Sequence, residues 1–455
     1  MSLFGTDGVR GKAGEGVLTS AATGELAFCF AQSLRKDKGE GAPLRIALAR
    51  DTRESGEMLA DACALGLRAA GAVVIDLGVL PTPGLSWWLA DQGTLEGGIM
   101  ITASHNPWHD NGLKLFAGNG GKASDDVQAC CERLYERGVS TPNRQSQGER
   151  LTTNLHEEAF ALYLASLGTT LPATDSLKGR TVVADTAAGA AFEILPQALS
   201  LAGADVVTCA PLPDGRNINA GWGAVEPQEM ARRVQEEGAW AGVAVDGDGD
   251  RVVIADEQGC IHDGDALIGF LATVMQEAGT LRGEQVVGTV MTNGGLEAFL
   301  GARGLKLLRT AVGDRNITAA MTTHNLNLGG EASGHVLTPD LCPTGDGTRV
   351  ALHVLALAAQ RQAPLSRVLG EVPSFPSSKR KVRANSRPPL ESLKDLQRVA
   401  SECELKLTPV GGRLLLRYSG TEPILRILVE GREETLVEEC ATALEEAATL
   451  SLHGS

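Results

Sequence analysis

The sequence predicts an α/β protein with three similar α/β domains and a smaller α+β domain at the C-terminal end. One pattern occurs three times: an apolar strand, a helix, a second strand and a further apolar run that ends in a polar loop. Residues 390–450 do not follow this repeat. The length of 455 residues also exceeds what one hydrophobic core usually serves, which indicates several domains.

Each repeat is predicted from apolar strands and from helices that are followed by glycine. The first consists of strand 45–51, helix 56–70, strand 72–76 and strand 98–101. The second consists of strand 181–185, helix 190–202, strand 205–208 and strand 241–245. The third consists of strand 285–290, helix 294–303, strand 306–310 and the run 326–330. Ligands of such sheets lie at the carboxyl ends of the strands, so the three following loops are predicted to form the site.

The last domain is predicted to contain a helix, two strands and a final helix. Strands are expected at 413–417 and 424–429, and the final helix at 433–449. A polar stretch at 140–148 and a proline-rich stretch at 364–389 are predicted to separate domains. The predicted domains are 1–147, 148–257, 258–368 and 369–455.

The composition excludes several classes of protein. The net charge of -15, from 41 basic and 56 acidic residues, argues against a general nucleic-acid or anionic-membrane surface. Nine cysteines without a Cys-x-x-Cys pair indicate reduced thiols, with neither a disulfide framework nor a zinc site. No apolar run approaches the length of a membrane span, and the first motif begins at Phe4, which leaves no room for a signal peptide. We therefore expect a cytoplasmic protein.

The loop after the first repeat contains Ser104, beside His105 and Asn106 and before Pro107. A serine exposed at the end of a strand, with a histidine beside it, is a candidate nucleophile or phosphate carrier. The alternative is a polar loop that happens to contain a serine.

The loop after the second repeat contains Asp246, Asp248 and Asp250, separated by glycines. Glycines let the backbone curl, so the three carboxylates can converge on one point. Oxygen ligands suit a hard divalent cation such as Mg²⁺, and the spacing is not that of an EF-hand. The alternative, a solvated acidic turn, would leave three carboxylates repelling each other.

The loop after the third repeat contains Glu331, Ser333 and His335 at alternating positions. If the loop is extended, all three side chains point the same way and suit a polyhydroxyl ligand. The alternative for His335 is a buried structural histidine.

Near the C-terminal end, Arg417 precedes the turn Ser419-Gly420-Thr421. Hydroxyls, free backbone N–H groups and an arginine form a phosphate cradle without a P-loop sequence. The alternative is an ordinary hairpin turn.

Five motifs in this order resemble the α-D-phosphohexomutase superfamily, and most closely the bacterial phosphoglucosamine mutases. They are the glycine-rich loop at 4–11, the serine loop at 101–114, the aspartate loop at 246–251, the loop at 330–335 and the loop at 417–423. The resemblance implies three α/β domains with mixed sheets and a fourth α+β domain around one cleft.

The resemblance also implies an intramolecular phosphotransferase that isomerises a phosphosugar through phosphorylated Ser104 and a hexose 1,6-bisphosphate, which also acts as activator. One Mg²⁺ per chain would be held by Ser104, Asp246, Asp248 and Asp250. The implied catalytic residues are Ser104, Arg10, His105, Lys114 and Arg251. The implied substrate contacts are Asp314, Arg315, Glu331, Ser333, His335, Arg417, Ser419, Gly420, Thr421 and Arg426.

Three alternatives stay open from the residues. The substrate is a glucosamine, glucose or mannose phosphate; only the sugar-facing loops distinguish them. A non-catalytic homologue would be expected to lack Ser104, an aspartate of the metal loop or Arg417, and all are present. A magnesium-dependent phosphatase would not need the cradle at 417–421. The chain is expected to be a monomer or homodimer, without nucleic-acid or membrane partners.

Overall fold

The computed structural model describes residues 3–5, 7–35, 44–139, 152–384, 386–419 and 423–453. The chain divides into two compact units, each with its own packing. Unit 1 contains residues 1–291 and 307–371, and unit 2 contains residues 292–306 and 372–455. The predicted linker at 140–148 and the predicted site residues Gly420 and Thr421 lie outside the described residues.

The first sheet of unit 1 is mixed. Its strands are β1 (Val9–Lys12), β2 (Leu44–Arg50), β3 (Ala72–Val79), β4 (Gly97–Ile101), β5 (Asp110–Ala117) and β6 (Thr152–Asn154). Their spatial order is β1-β5-β4-β2-β3-β6, in which β1 and β5 run antiparallel to their neighbours. The helices of this part are α1 (Ser20–Arg35), α2 (Gly56–Ala69), α3 (Thr82–Gln92) and α4 (Asp125–Glu136).

The second part of unit 1 contains a mixed sheet of order β11-β10-β9-β7-β8. Its strands are β7 (Thr181–Asp185), β8 (Asp205–Thr208), β9 (Ala241–Val245), β10 (Val252–Asp256) and β11 (Ile261–His262). Its helices are α5 (His156–Gly168), α6 (Ile194–Leu201) and α7 (Gln228–Glu237).

A third sheet has the order β13-β12-β14-β15. Its strands are β12 (Gln285–Thr289), β13 (Lys306–Thr310), β14 (Gly329–Gly330) and β15 (Val336–Leu337). The helices of this part of the chain are α8 (Gly264–Glu277), α9 (Gly294–Gly301), α10 (Asp314–His324), α11 (Gly347–Gln360) and α12 (Leu365–Leu369); α9 belongs to unit 2.

One four-strand order recurs in all three sheets: β5-β4-β2-β3, β10-β9-β7-β8 and β15-β14-β12-β13. The central strands β4 and β9 are buried along their whole length, which explains their unbroken runs of small and apolar residues. The serine, aspartate and Glu331 loops are the equivalent hairpin in each sheet. The predicted α/β repeat and the mixed sheets are therefore confirmed.

Unit 2 contains the antiparallel sheet β16-β18-β17. Its strands are β16 (Ser377–Arg383), β17 (Arg413–Tyr418) and β18 (Ile424–Glu430), and its long helices are α13 (Lys394–Leu407) and α14 (Glu434–His453). The inner faces of these elements form one hydrophobic cluster around Leu396, Ile427 and Leu444. The predicted α+β character of this part is confirmed. Short 3-10 turns occur at Gly16–Leu18, Leu390–Ser392 and Thr408–Val410.

Two local expectations are wrong. The helix expected from residue 190 begins only at Ile194, because residues 190–193 form turns after two residues with left-handed φ angles, Ala187 at 54° and Ala188 at 48°. The proline-rich stretch 364–389 is not a plain linker, because it contains α12 and β16. The division into domains 1–147, 148–257, 258–368 and 369–455 stays a prediction. None of the described helices has the length and apolar character needed to cross a bilayer.

A buried ionic network holds the start of α11 beside the aspartate loop. The carboxylate of Asp346 accepts hydrogen bonds from Arg349 Nε at 2.9 Å and Tyr163 Oη at 3.0 Å. Arg349 also donates to the backbone and side chain of Ser166 at 3.1 and 2.9 Å. The N–H of Gly347 then donates to the carbonyl of Gly249 at 3.0 Å. The network thereby supports the backbone of the aspartate loop.

We expect Arg349→Met to lower the free energy of unfolding of unit 1 by about 3–5 kcal/mol, because it leaves the buried Asp346 without its cation. Urea titration followed by circular dichroism measures this. The matched control is Arg361→Met, at the end of the same helix, where the ion pair with Glu277 is exposed and a loss of about 0–1 kcal/mol is expected. Equal stability of the two variants would contradict the role of the network.

Candidate active site

The aspartate loop is the tight hairpin between β9 and β10, which pair antiparallel with Val245 opposite Val252. It brings one carboxylate oxygen each of Asp246, Asp248 and Asp250 within 4.8 Å of one another, and all three residues are buried. The predicted convergence of the three carboxylates is therefore present in the structure.

The electrostatics of this cluster fit a hard divalent cation. Burial, with Asp250 and Asp248 adding repulsion, raises the pKa of Asp246 to about 7. The Oδ1 atoms of Asp248 and Asp250 are buried and have no hydrogen-bond partner among the residues that the structure describes. Carboxylate oxygens that accept no hydrogen bond, in a cluster of three aspartates, are ligands of the kind that Mg²⁺ prefers.

Ser104 stands against this cluster in the hairpin between β4 and β5. Its Oγ donates a hydrogen bond to Asp246 Oδ2 at 2.8 Å, and its N–H donates to Thr102 Oγ1 at 2.8 Å. The residue is buried and has a left-handed φ of 53°. Such a φ is sparsely populated for a residue with a Cβ and costs on the order of 1 kcal/mol, so the surrounding structure must impose it.

The backbones of the two hairpins approach each other closely. A Cβ atom on Gly247 would lie 2.6 Å from the carbonyl oxygen of Ser104, so the close approach requires glycine. The same carbonyl accepts a hydrogen bond from Asn219 Nδ2 at 2.9 Å. Asn219 lies between β8 and α7. The segment with Asn219 and the aspartate loop, both from the second repeat, therefore position the serine of the first repeat.

Arg53 donates hydrogen bonds to the backbone of the serine hairpin. It was not predicted from the sequence. Its side chain is buried and pairs with Asp51 at 2.8 Å. The guanidinium donates to the carbonyls of Ser104 and Asn106, each at 2.8 Å, and of Asp110 at 2.9 Å, and it also donates to the carbonyl of Pro107. Arg53 follows the carboxyl end of β2, and that position at the ligand-binding edge of the sheet was the available signal.

Lys114, on β5, supplies a buried cation to the cluster. Its Nζ lies 2.7 Å from Asp248, 3.0 Å from Asp250 and 3.1 Å from Asp7. Burial alone would lower the pKa of Lys114, but the three carboxylates outweigh it and raise the pKa well above its usual value. Lys114 is therefore a fixed positive charge in this arrangement.

The other predicted catalytic residues surround the same point. Arg251 Nε lies 3.9 Å from carboxylate oxygens of both Asp246 and Asp250, and Arg10 donates to Asp7 at 2.6 Å. The ring of His105 has Nδ1 at 3.4 Å from Ser104 Oγ. Burial, together with Arg251 and Arg10, lowers the pKa of His105 to about 4, so the imidazole is neutral near pH 7.

A cavity of about 420 Å³ opens beside these groups. Its charged or titratable lining residues are Asp7, Arg10, His105, Asp250, Arg251, Asp314, Glu331 and His335. The volume is in the range of pockets that hold small molecules. The chain segments that supply this lining are far apart in sequence, and the fold brings most of the predicted site of unit 1 to one cavity.

The extended conformation expected for residues 331–335 is wrong. Glu331 and His335 are joined by a hydrogen bond from the N–H of Glu331 to the carbonyl of His335 at 3.0 Å, so the segment is the tight turn between β14 and β15. Glu331 and His335 still line the cavity, whereas Ser333 is exposed and is not part of the cavity lining. Alternation in sequence cannot distinguish a short hairpin from a strand.

Of the two predicted substrate contacts Asp314 and Arg315, the structure places only Asp314 in the lining of this cavity. Asp314 begins α10, lines the cavity and forms an ion pair with Lys122. Arg315 instead pairs with Asp125 and lines a separate cavity. Lys122 also pairs with Asp7, and no sequence signal pointed to either contact.

In unit 2, Arg417 on β17 lies directly opposite Arg426 on β18. Ser419 follows at the end of β17, is buried, and donates its N–H to the carbonyl of Ile424 at 2.9 Å. Because Arg417 and Arg426 are directly opposite each other, their side chains lie on the same face of the hairpin. Guanidinium groups and a serine hydroxyl are suited to a phosphate group.

Models of the phosphoglucomutase/phosphomannomutase family match four consecutive segments of the chain. The alpha/beta/alpha domain I model matches residues 1–141, the domain II model 161–259, the domain III model 263–375 and the C-terminal domain model 379–447.

Curated relatives match over nearly the whole length. The phosphoglucosamine mutase of Nautilia profundicola is 39% identical over 446 residues, which is 98% of each chain. The phosphoglucosamine mutase of Rhodospirillum rubrum is 41% identical over 442 residues, which is 96% of each chain.

Two solved structures share the fold. A phosphoglucomutase/phosphomannomutase family protein from Burkholderia thailandensis has a TM-score of 0.80 at 23% identity and covers 100% of this chain and 98% of its own. The N-acetylphosphoglucosamine mutase of Aspergillus fumigatus, in complex with GlcNAc-6P and magnesium, has a TM-score of 0.66 at 17% identity, with 99% and 96% coverage. At these identities the likeness concerns the fold.

We expect Arg53→Met to loosen the serine hairpin, because four backbone carbonyls lose their shared donor. Amide hydrogen exchange at residues 104–110 should become at least roughly tenfold faster, the equivalent of about 1.4 kcal/mol. Arg45→Met, on β2, is the matched control, since among the described residues its guanidinium donates to Thr94 at the surface and to no carbonyl of the serine hairpin. Exchange at 104–110 that stays at the wild-type rate would show that Arg53 is not needed to hold the loop.

We expect Asp248→Asn to weaken Mg²⁺ binding by at least roughly tenfold, because one of three anionic ligands is lost. Isothermal titration of the EDTA-treated protein measures the affinity and the expected stoichiometry of one ion. Asp205→Asn is the control, because Asp205 is exposed at the edge strand β8. An unchanged affinity in Asp248→Asn would place the cation elsewhere.

Proposed function

The chain belongs to the phosphoglucomutase/phosphomannomutase family, within its phosphoglucosamine mutases, and from this premise we propose how its residues interconvert glucosamine 6-phosphate and glucosamine 1-phosphate. The enzyme is an intramolecular phosphotransferase, of the isomerase class. Ser104 carries the phosphoryl group between the two sugar oxygens.

The observation that supports this role is the position of Ser104. Its Oγ contacts Asp246 at 2.8 Å, next to three convergent carboxylates and beside a cavity of about 420 Å³. A serine in an ordinary polar loop would not need these supports. Ser104 has a left-handed backbone, faces Gly247 on the other hairpin and has its carbonyl bound by the buried Arg53. Preorganisation of this kind is typical of a group that reacts.

The reaction consists of two phosphoryl transfers through the same serine. In the first, a hydroxyl oxygen of the hexosamine monophosphate attacks the phosphorus, the P–Oγ bond of Ser104 breaks, and the hydroxyl proton leaves. The product is a 1,6-bisphosphate. This intermediate reverses its orientation in the cleft, and its other phosphate is transferred to Ser104, which releases the isomerised monophosphate.

Fixed positive charge stabilises both transfers. Lys114, Arg10 and Arg251 are the cations beside the phosphoryl position, and charge of this sign favours the oxygens of the transferring group. His105 is neutral in this arrangement and stands beside Ser104, so its lone pair is available for the hydroxyl proton.

The metal site is assigned to Ser104, Asp246, Asp248 and Asp250. A Mg²⁺ ion bound there supplies charge neutralisation at the phosphoryl oxygens. The residues fit this ion because the cluster contains only oxygen ligands and two unpartnered carboxylate oxygens.

The remaining predicted contacts are assigned to the substrate. Asp314, Glu331 and His335, which line the cavity, are assigned to the sugar. Arg315 and Ser333 lie outside its lining, and their contact with the sugar stays a prediction. The phosphate that does not react is assigned to Arg417, Ser419, Gly420, Thr421 and Arg426. Because the bisphosphate must bind in two orientations, these contacts have to accept either end of the sugar.

The enzyme is also assigned an activator and a metabolic role. A hexosamine or glucose 1,6-bisphosphate activates the enzyme by phosphorylating Ser104. Glucosamine 1-phosphate formed in the cytoplasm then feeds the synthesis of UDP-N-acetylglucosamine and cell-wall precursors.

We expect kcat/KM to be highest for glucosamine 1-phosphate when it is compared with glucose 1-phosphate and mannose 1-phosphate. The assay contains Mg²⁺ and a trace of hexose bisphosphate. Ser104→Ala should reduce turnover of all three sugars to the assay background while the variant still binds substrate, because only the phosphate carrier is lost. Binding of glucosamine 6-phosphate, measured by calorimetry, controls for correct folding.

Two outcomes would contradict the proposed substrate or the proposed role of Ser104. A higher kcat/KM for glucose or mannose phosphate would keep the mechanism and change the substrate. Mutase activity that survives in Ser104→Ala would remove Ser104 from the reaction.

A further inference from the structure

Lys122 joins two carboxylates from different parts of unit 1. Its ammonium group pairs with Asp7 Oδ1, from the N-terminal loop, and with Asp314 Oδ2, from the first residue of α10. Only 15% of the Lys122 side chain is exposed, so both contacts are shielded from water more than an ordinary surface pair. The backbone of Lys122 is itself held in a bridge to Phe116 on β5.

These contacts belong to a closed ring in which carboxylates alternate with lysine or histidine side chains, here called the charge ring. Its members, in order, are Asp250, Lys114, Asp7, Lys122, Asp314 and His335. Neighbours in the ring are no more than 3.8 Å apart. The charge ring connects Asp250 of the aspartate loop with Asp314, the first residue of α10.

Lys122 stands outside the cavity that the charge ring borders. Asp7 and Asp314 line the cavity of about 420 Å³, whereas Lys122 is absent from its lining and lines a second cavity, to which Asp314 also contributes. Lys122 therefore acts on the cavity through the two carboxylates.

Without Lys122 the carboxylate of Asp314 would keep, among the described residues, only the contact with His335 Nε2 at 3.8 Å. The preceding Gly313 has a φ of 119°, a conformation that suits glycine and gives the loop freedom. Its N–H donates to Glu331 at 3.3 Å, which is a long hydrogen bond. Asp7 would keep its ion pairs with Arg10 at 2.6 Å and Lys114 at 3.1 Å, so the loss of Lys122 falls mainly on Asp314.

We propose that Lys122 is a positioning residue for phosphosugar binding, which holds the carboxylate of Asp314 in the wall of the cavity. The proposal rests on the proposed function, since the cavity is taken as the sugar site. It predicts an effect mainly on KM, because Lys122 acts on binding groups and not on the phosphoryl group itself.

The test compares Lys122→Met and Lys122→Arg with Lys178→Met, a control in unit 1 whose side chain is 77% exposed. We expect Lys122→Met to raise KM for glucosamine 1-phosphate at least tenfold, with a change in kcat of less than threefold. Lys122→Arg should recover most of the affinity, because it keeps the charge. Values of KM within twofold of Lys178→Met, or a loss in kcat with unchanged KM, would overturn the proposal.

A double variant tests whether Lys122 changes KM through Asp314. If Lys122 acts by holding Asp314, then Lys122→Met combined with Asp314→Asn should raise KM no more than twofold beyond Asp314→Asn alone. Additive increases in KM would show that Lys122 acts independently of Asp314, and would overturn the proposed positioning.

A readout without activity separates this proposal from the proposed function. Amide exchange at residues 312–316 should be at least tenfold faster in Lys122→Met than in Lys178→Met, whatever the substrate is. Equal rates would overturn the role of Lys122. Turnover restricted to glucose or mannose phosphate would instead contradict the proposed substrate, and the KM comparison would then be made with the sugar that is accepted.

Discussion

The burial of Asp246, Asp248 and Asp250 around one point is the constraint on which the rest of the active site depends. Three carboxylates in a place with little water repel each other, and the chain compensates with cations from distant segments. Lys114 reaches the cluster from β5 and Arg251 follows it directly. Oδ1 of Asp248 and Oδ1 of Asp250 nevertheless accept no hydrogen bond from the described residues, which favours a cation site over a self-sufficient ionic network.

The second constraint is the close approach of two hairpins. Ser104 reaches Asp246 only because Gly247 has no Cβ and because Ser104 itself adopts a left-handed φ. Arg53 makes this arrangement stable by donating to the carbonyls around the turn, including that of Ser104. A residue that need not react thus keeps the reactive serine in a conformation that the serine would not choose alone.

The three sheets of unit 1 show how one architecture carries different chemistry. The same hairpin contains the serine in the first sheet, the aspartates in the second and Glu331 in the third. The repeat places each loop at the equivalent edge of its own sheet, and the packing of the three sheets brings residues of all three loops to one cavity. The charge ring then links the second and third hairpins through Lys114, Asp7 and Lys122.

The sequence by itself determined the repeated strands and helices, the positions of the three polar loops and the residue types in them, because apolar periodicity and glycine placement are local properties of the chain. It did not predict the return strands β5, β10 and β15, and the alternation at Glu331, Ser333 and His335 fitted a strand as well as the hairpin that forms. Only the tertiary structure decided which charges meet. Arg53, Lys122 and Asn219 find their partners in segments remote along the chain, and contacts of that kind depend on how the sheets pack and not on local pattern.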